Sequence, residues 1–509
     1  MVTLLLGAAC SKGSGPDAGT PVSPAAAVPP PPDPAVERGR VLAQSLCVSC
    51  HLLDGSGNAA ANFPRLAGME PSYLVKQLAD FRSGARNIPV MALIAKGLTE
   101  GQSADLAAYY GQLPLPPVAT TPIDAAQRAL GERLAVQGAW PRGLPACFSC
   151  HAPGGVGIGV FPGLAGQHAD YLAGQLRAWR SGARRNDPHR MMKAVADRLE
   201  EKELLALAAY LSQLSPDAAP VATAAAPVGD YRVTVPASPI GPFNFSPPGE
   251  AEIPDNEFGA QVRYGRDLFL HTQQLRGKYS GNGLSCVNCH LDGGRKPGAG
   301  PLWAAYPMYP AYRAKTQQVN TLEERLQGCF LYSMNGQAPP SGSKELTALL
   351  SYQFWMSTGA PTGVELPGRG YPPAGEPPLP PDRTRGQGVY AARCAVCHGP
   401  DGQGAQQDGR YVFPPLWGPD SFNWGAGMHR VNTAADFIRA NMPLGQGGTL
   451  SAQEAWDVAR FMNSHPRPGD PRFTGSVDQT DRHFHDENCA YGETLDGQSL
   501  GAPAITPPG

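Results

Sequence analysis

The stretch Cys286-Val287-Asn288-Cys289-His290 sets the architecture of this chain of 509 residues. It is a C-x-x-C-H motif, in which two thiols form thioether bonds to a haem and the adjacent histidine coordinates the iron. A single such motif is also typical of a zinc half-site or a redox dithiol. Four copies, each followed by glycine-rich sequence, instead predict four covalently bound haem c groups. The other three copies are Cys47/Cys50/His51, Cys147/Cys150/His151 and Cys394/Cys397/His398.

The composition agrees with a chain of haem domains. Its 61 glycines and 54 prolines are many for a compact enzyme, whereas loops wrapped around a haem can use the porphyrin as apolar core. The formal net charge of −2 gives no reason to expect a nucleic-acid partner. We therefore predict a mainly α, loop-rich fold of four class I cytochrome c-type haem domains, arranged as two di-haem halves.

Residues 1–33 are predicted to be an export signal followed by a flexible tether. Haem attachment of this type takes place after export, so we expect a periplasmic protein. The stretch Thr3-Leu-Leu-Leu-Gly-Ala-Ala-Cys10 resembles the end of a bacterial lipoprotein signal, except that Gly7 stands where leucine is usual. Two alternatives stay open: a lipid anchor at Cys10, and an ordinary export signal without one.

The segments 34–119 and 120–214 are two copies of one haem domain. The stretch Tyr73-Leu-x-x-Gln-Leu-x-x-Phe-Arg-Ser-Gly-Ala-Arg86 returns as Tyr171-Leu-x-x-Gln-Leu-x-x-Trp-Arg-Ser-Gly-Ala-Arg184. Two copies are too few for a solenoid and indicate a duplicated pair of lobes.

Composition gives the remaining boundaries. An Ala/Pro/Val-rich linker at 215–256 precedes a third haem domain at 257–365. A Pro/Gly-rich linker at 366–382 precedes a fourth haem domain at 383–475, and a polar tail, 476–509, is expected to wrap the surface.

Methionines are the expected second axial ligands in three of the domains. Met91 suits the first lobe. In the second lobe Met191 and Met192 compete, and Met192 is chosen because the alanine and leucine after Met91 recur at the same distances after it. Met442 is expected in the fourth domain, with Met428 and Met462 as alternatives. Ligation by His and Met raises the reduction potential and suits an electron relay.

A predicted helix after the third haem motif carries further chemistry. Thr321 and Glu324 form a capping box that opens a helix to about Leu331. Side chains spaced by four lie on one helix face. The residues with that spacing are Arg325, Cys329, Ser333 and, beyond a predicted turn, Gln337.

Three interpretations of Cys329 stay open on spacing alone. It is a structural thiol, a disulfide partner of Cys489 in an oxidising compartment, or the distal ligand of the third haem. Met334 competes with it for the last role.

Several separate blocks of the C-terminal half resemble the thiosulfate dehydrogenase family. The likeness covers about residues 257–475, and residues 34–214 are similar to the two-haem cytochromes of the c-four class. Together they indicate a dehydrogenase fused, on its N-terminal side, to its electron-acceptor cytochrome. The blocks include Cys286-x-x-Cys-His-Leu-Asp-Gly-Gly294, Leu322-Glu-Glu-Arg-Leu-Gln-Gly-Cys-Phe-Leu-Tyr-Ser-Met-Asn-Gly336 and Phe413-Pro-Pro-Leu-Trp-Gly418.

The resemblance implies ligands and a substrate pocket. His290 and Cys329 would ligate the third haem. Some relatives place a lysine directly before the fourth-haem methionine, but here Asn441 stands there, so ligation by His398 and Met442 is expected. The family's cationic and polar substrate pocket would be formed here by Arg325, Ser333 and Gln337. A further basic residue of the pocket would be Lys315 or Arg313.

The resemblance also implies an activity, namely oxidation of two thiosulfate ions to tetrathionate at the third haem. Electrons would pass through the fourth haem to the N-terminal lobes and on to an external small c-type cytochrome or high-potential redox protein. Two alternatives stay open. The same site works mainly as a tetrathionate reductase, or the chain is a non-catalytic tetrahaem electron carrier with Met334 as ligand.

Overall fold

A computed structural model describes residues 33–117, 122–215, 231–235 and 243–501. Cys10 and the lipid-anchor prediction lie outside these residues. Short antiparallel hairpins are the only sheets in the described part of the chain, and helices form the rest of its regular structure. The prediction of a mainly α, loop-rich fold is confirmed. Within the described ranges, no helix has the length and apolar character needed to cross a membrane.

The two N-terminal lobes each contain five helices in the same order. The first helix begins at Pro34 because Asp33 caps it, its carboxylate accepting from the Ala35 N–H at 2.8 Å. The first lobe comprises α1 (Pro34–Leu46), α2 (Val48–His51), α3 (Pro71–Ser83), α4 (Pro89–Lys96) and α5 (Glu100–Gln112). The second comprises α6 (Ala125–Val136), α7 (Phe148–His151), α8 (Ala169–Ser181), α9 (Met191–Asp197) and α10 (Glu201–Ser212).

The C-terminal half holds the remaining helices and all four hairpins. Its helices are α11 (Glu257–Leu270), α12 (Leu291–Gly294), α13 (Leu322–Gly328), α14 (Lys344–Met356), α15 (Arg383–Arg393), α16 (Ala395–His398), α17 (Val431–Asn441), α18 (Ala452–Asn463) and α19 (Val477–Phe484). Its strands pair as β1 (Val233–Val235) with β2 (Phe243–Phe245), β3 (Ala311–Arg313) with β4 (Gln318–Asn320), β5 (Ala405–Gln407) with β6 (Arg410–Phe413), and β7 (Thr494–Leu495) with β8 (Gln498–Ser499).

In every domain the first helix crosses the last helix at a glycine. A Cβ at any of these glycines would lie 1.9–2.4 Å from a carbonyl oxygen of the facing helix, which no side chain can do. Glycine therefore lets the two backbones touch and closes each domain. The four contacts are Gly39 with Asp105, Gly131 with Ala206, Gly265 with Ala348, and Gly386 with Asp457.

The repeated stretch builds the contact between the two lobes. Arg86 of the first lobe donates to the Tyr171 hydroxyl and the Gln175 amide oxygen of the second, both at 2.9 Å. Arg184 of the second lobe donates in return to Tyr73 at 3.4 Å and Gln77 at 3.1 Å of the first. Because the partners occupy equivalent positions, the lobes are related by an approximate twofold axis.

The third and fourth haem domains share one hydrophobic core, whereas each lobe has its own. Within the segment predicted as the 215–256 linker, the β1–β2 hairpin adds Val233, Val235 and Phe245 to that shared core. The Phe245 ring lies 5.8 Å from the Trp303 ring. This segment is thus partly a structural element of the third haem domain.

One predicted helix ends early. The Thr321/Glu324 capping box is present, but α13 stops at Gly328 and a π-helical turn, Cys329–Ser333, follows it. The Met334 N–H donates to the Cys329 carbonyl oxygen, a bond that spans one residue more than in an α-helix. The sequence predicted Arg325, Cys329 and Ser333 on one face of a continuous α-helix. That face is therefore interrupted at Cys329.

Candidate active site

All four C-x-x-C-H motifs present donors that fit a haem c. Each motif histidine directs its Nδ1 at a backbone carbonyl oxygen, which can only accept a hydrogen bond. Nδ1 therefore carries the proton, and Nε2 keeps the lone pair that binds iron. The carbonyl oxygens, in chain order, are those of Pro64 at 3.0 Å, Pro162 at 2.8 Å, Gly300 at 2.5 Å and Pro414 at 2.9 Å.

The second lobe contains a largely apolar cavity beside its motif. Cys147, Cys150 and His151 line it, as expected for a haem site. Met191 and Met192 at the start of α9 both line the same cavity, so the choice between them stays a prediction from the sequence.

The first-lobe motif differs from the second at Cys50, which the sequence predicts to attach a haem. The Cys50 sulfur lies 3.8 Å from the hydroxyl of its neighbour Ser49, in an exposed contact on the single-turn helix α2. Its equivalent Cys150 instead lines the apolar cavity of the second lobe, and burial raises the pKa of that thiol to about 11. Burial also raises the pKa of Cys47. The surroundings of Cys50 thus do not by themselves indicate an enclosed attachment site, and its role stays a prediction from the motif.

The methionines expected in the other domains lie on defined elements. Met91 is half-buried in α4 of the first lobe. Met442 directly follows α17 and packs against the small buried cluster of Leu291, Ala299 and Phe437. Of its two alternatives, Met462 lies in the core shared by the third and fourth domains, and Met428 packs against that core.

Arg325 and Cys329 form the centre of the third haem domain. An Arg325 guanidinium nitrogen donates to the Cys329 sulfur at 2.7 Å. Burial raises the pKa of Cys286 to about 12 and of Cys289 to about 11, and the nearby Cys329 adds to both shifts. Cys329 thus lies near both thiols of the third C-x-x-C-H motif.

The sequence left Met334 and Cys489 as alternatives in the assignment of Cys329, and the structure bears on both. Met334 is 4 % exposed and packs in the shared hydrophobic core. Cys329 and Cys489 are both free thiols, so the structure does not contain the disulfide considered between them.

Basic side chains surround this centre. The Lys315 ammonium lies 3.4 Å from the centre of the Tyr332 ring and donates to the Gly425 carbonyl oxygen. Burial, together with the charges of Arg472 and Arg325, lowers the pKa of Lys315 to about 7. Both of these arginines are thus close enough to add positive potential around Lys315.

Arg313 belongs to the same group. Its guanidinium donates to the Tyr309 hydroxyl at 2.9 Å, and its charge also contributes to the lowered pKa of Lys315. The two basic positions considered for the pocket are therefore electrostatic neighbours.

Ser333 and Gln337 lie beyond the π-helical turn. The Ser333 carbonyl oxygen accepts from the Asn282 amide at 2.9 Å. Gln337 is exposed, and its N–H donates to the Tyr279 carbonyl oxygen at 3.0 Å. Between the side chains of the described residues, no hydrogen bond joins either of them to Arg325 or Cys329.

Known protein families match each of the four domains. Residues 36–113 and 130–215 match the cytochrome c family, residues 273–362 match the SoxA/TsdA cytochrome c domain, and residues 381–462 match the cytochrome c oxidase, cbb3-type, subunit III family. The matches cover both halves of the chain.

The C-terminal half is 55 % identical over 264 residues to a thiosulfate dehydrogenase of Stutzerimonas stutzeri, covering 51 % of this chain and 86 % of the relative. The chain belongs to the thiosulfate dehydrogenase family. Its N-terminal half is 46 % identical over 169 residues to a thiosulfate dehydrogenase electron acceptor of the same organism, covering 33 % of this chain and 78 % of the relative.

One solved structure of the family spans both halves. The "as isolated" form of thiosulfate dehydrogenase (TsdBA) from Marichromatium purpuratum is 46 % identical, with a TM-score of 0.81, and covers 92 % of this chain and 100 % of that chain. The predicted fusion of a dehydrogenase with an electron-acceptor cytochrome is confirmed. Cytochrome c domains throughout the chain likewise support four covalently bound haem c groups.

Sequence reasoning missed Tyr371 in this member of the family. It lies in the segment predicted as the 366–382 linker, but it is half-buried in the structure. Burial is the main cause that raises the pKa of its hydroxyl, and the nearby Cys289 raises it further. Arg325 and Cys329 are also among its electrostatic neighbours. Its ring packs 5.2 Å from Phe437 of the fourth domain. The only sequence signal for a role of Tyr371 was that it is a single aromatic residue in a Pro/Gly-rich segment.

The second lobe contacts the fourth haem domain close to both haem motifs. Phe161 packs on Phe413 with 5.2 Å between ring centroids. Burial raises the pKa of Cys397, and Cys150 of the second lobe adds to that shift. These thiols of the second and fourth C-x-x-C-H motifs are therefore near one another.

Proposed function

We propose that the chain oxidises two thiosulfate ions to one tetrathionate in its third haem domain and passes the two electrons to the N-terminal lobes. The observation that carries the proposal is the contact of 2.7 Å between the Arg325 guanidinium and the Cys329 sulfur, beside the attachment cysteines. This is a cationic site built around a thiol. The names of the relatives of both halves support the same activity.

The proposed iron ligands are the donors that lie in or beside each haem motif. When bound, each haem c supplies one-electron redox chemistry. Cys329 serves the third haem because it faces the attachment cysteines, whereas Met334 is in the core. The proposed pairs are His51 with Met91, His151 with Met192, His290 with Cys329, and His398 with Met442.

Arg325 and Lys315 are the proposed cations for the substrate. Thiosulfate is a small dianion, and a buried guanidinium is the best planar donor for its oxygen atoms. Lys315 adds a second positive charge when it is protonated. Ser333 and Gln337 are proposed to supply polar contacts once substrate fills the pocket.

Cys329 is the proposed covalent platform. Its thiolate forms an S–S bond to the terminal sulfur of one thiosulfate, and two electrons leave as Cys–S–S–SO3⁻ forms. A second thiosulfate then attacks the middle sulfur atom, which is bonded to both the Cys329 sulfur and the sulfonate group. The S–S bond to Cys329 breaks, which releases tetrathionate and restores the thiolate. Charge balances in both steps, and the two electrons finally reduce two equivalents of an external one-electron oxidant. Arg325 stabilises the thiolate as the leaving group.

The contacts support one order of electron transfer. Tyr371 and Phe437 join the third domain to the fourth, and Phe161 and Phe413 join the fourth domain to the second lobe. The paired arginines join the second lobe to the first. The proposed acceptor beyond the first lobe is a small c-type cytochrome or high-potential redox protein. We place these reactions in the periplasm, because haem c attachment follows export.

Two substitutions test the proposal against the electron-carrier alternative. Cys329→Gly should abolish thiosulfate-dependent reduction of an external acceptor while four haems remain bound, as counted by pyridine haemochrome absorbance and iron analysis. Met334→Leu conserves volume in the core and should leave turnover intact. The opposite pattern, with an active Cys329→Gly variant and a Met334→Leu variant whose haem spectrum has changed, would overturn the assignment.

A further inference from the structure

Three metal-binding side chains converge where the C-terminal tail packs on the fourth haem domain. We call His429, His485 and Cys489 the tail triad. His429 Nε2 lies 3.2 Å from His485 Nδ1, and His485 Nδ1 lies 3.5 Å from the Cys489 sulfur. All three ligand atoms lie within 4.8 Å of one another. The triad is separate from the four haem motifs and from Cys329.

The outward-facing nitrogen of each histidine is already engaged. His429 Nδ1 donates to the Ala426 carbonyl oxygen, which can only accept. His485 Nε2 lies 3.1 Å from an Asp470 carboxylate oxygen. When both rings are neutral, each directs a lone pair into the triad, where the Cys489 thiol offers a single proton for two nitrogens. A bound cation would satisfy both lone pairs and the sulfur together.

This arrangement also matches the surroundings of metal-bound histidines. Such rings donate their other N–H to a backbone carbonyl or a carboxylate, and the tail triad has one of each. In a tetrahedral zinc site with ordinary bond lengths, neighbouring ligand atoms are separated by about 3.3 Å for N···N and about 3.6 Å for N···S. The separations of 3.2 and 3.5 Å agree with those values.

Aromatic side chains pack against both histidines of the triad. The Tyr491 ring stacks on His485 at 3.9 Å between centroids, and the Trp424 ring meets His429 edge-on. Cys489 is 7 % exposed. The site is thus enclosed, and two of its three ligands come from the polar tail that follows residue 475.

We propose that the tail triad binds one zinc ion that fastens the C-terminal tail to the fourth haem domain. Two imidazoles and a thiolate suit zinc, and the fourth tetrahedral position is left for water. The ion would also brace the 425–429 segment, whose Gly425 carbonyl oxygen accepts from Lys315 of the active site. This proposal does not depend on the thiosulfate activity.

Metal analysis of the full four-haem protein tests the proposal. After equilibration with zinc sulfate and gel filtration, we expect one zinc in addition to four irons per chain. Zinc K-edge absorption should show one sulfur at about 2.3 Å and two imidazole nitrogens at about 2.0 Å. Absence of zinc beyond trace levels, or zinc with only oxygen and nitrogen neighbours, would overturn it. Copper in this sulfur and nitrogen shell, retained in preference to zinc, would overturn the choice of metal.

Matched histidine variants on one segment provide the control. His485→Ala should lower the zinc content at least tenfold while leaving four irons. His483→Ala, which removes an exposed histidine of α19 that bonds only to a backbone oxygen, should retain one zinc. Equal zinc content in the two variants would contradict the assignment, and the absorption measurement on the unmodified protein decides the matter if His485→Ala fails to fold.

Discussion

Phe161 and Phe413 lie 5.2 Å apart, centroid to centroid, and each immediately precedes the proline whose carbonyl oxygen faces a haem-motif histidine. Pro162 faces His151 and Pro414 faces His398. The contact between the two halves of the chain is therefore built directly behind the proximal histidines. In the proposed order of electron transfer, this contact joins the dehydrogenase half to the acceptor half.

Replacing Phe413 with leucine should slow electron transfer between the halves. The aromatic pair contributes about 1 kcal/mol beyond its burial, so the contact should loosen while the chain still folds. Rapid mixing with thiosulfate would show reduction of the C-terminal haems at the normal rate and slower reduction of the N-terminal ones. Phe354→Leu, at a half-exposed ring of the third domain, is the control. Equal rates for both variants would remove Phe413 from the route.

Arg325→Lys should impair chemistry more than folding. A lysine keeps the charge but loses the planar fork that reaches both the Cys329 sulfur and the substrate. We expect kcat/KM for thiosulfate to fall roughly a hundredfold, as for loss of one preorganised donor. Arg263→Lys on the exposed side of α11 should leave kcat/KM unchanged. A mild effect at Arg325, similar to that at Arg263, would contradict the proposed role.

The affinity for thiosulfate should depend on pH through Lys315. Burial, with the charges of Arg472, Arg325 and Arg313 and against that of Asp470, lowers the pKa of Lys315 to about 7. The ammonium form is present below that pH and is lost as pH rises through it, so KM should rise across that range. Lys315→Arg stays charged throughout, and its KM should be flat. An unchanged pH profile in that variant would assign the titration elsewhere.

Arg86 and Arg184 should contribute equally to stability because they occupy equivalent positions. Each donates to two side chains of the other lobe. Replacing either with alanine leaves buried polar groups unpaired and should lower the free energy of unfolding of the lobes by about 3 kcal/mol, measured in urea. Arg185→Ala, at an exposed neighbour, should stay within about 0.5 kcal/mol of the unmodified protein. Strongly unequal effects at Arg86 and Arg184 would contradict the twofold arrangement.

Local signals in the sequence predicted much of this fold. The four C-x-x-C-H motifs predicted the haem domains, and the predicted capping box of Thr321 and Glu324 is present in the structure. These features depend on residues a few positions apart. The internal repeat predicted two lobes for the same reason, since similar stretches fold alike.

Features that depend on distant residues were not predictable. The repeat did not reveal that Arg86 reaches Tyr171, because a pattern shows similarity and not pairing. Nor did it reveal that Cys50 and Cys150, at equivalent motif positions, have different surroundings. The π-helical turn at Cys329 has no sequence signal comparable to a capping box.

The tail triad is the clearest example of such a feature. It joins His429 to His485, 56 residues later, and only the folded chain brings them together. Neither histidine belongs to a spacing pattern that indicates a metal site, so the sequence alone gave no reason to pair them.

The central claim is that thiosulfate delivers electrons to this chain through Cys329. The most direct test mixes the oxidised four-haem protein with thiosulfate without oxygen, follows haem absorbance, and then measures tetrathionate. We predict rapid haem reduction with one tetrathionate formed per two electrons, and neither haem reduction nor tetrathionate in Cys329→Gly. Oxidised haems that stay oxidised in thiosulfate, whether or not tetrathionate reoxidises the reduced protein, would contradict it.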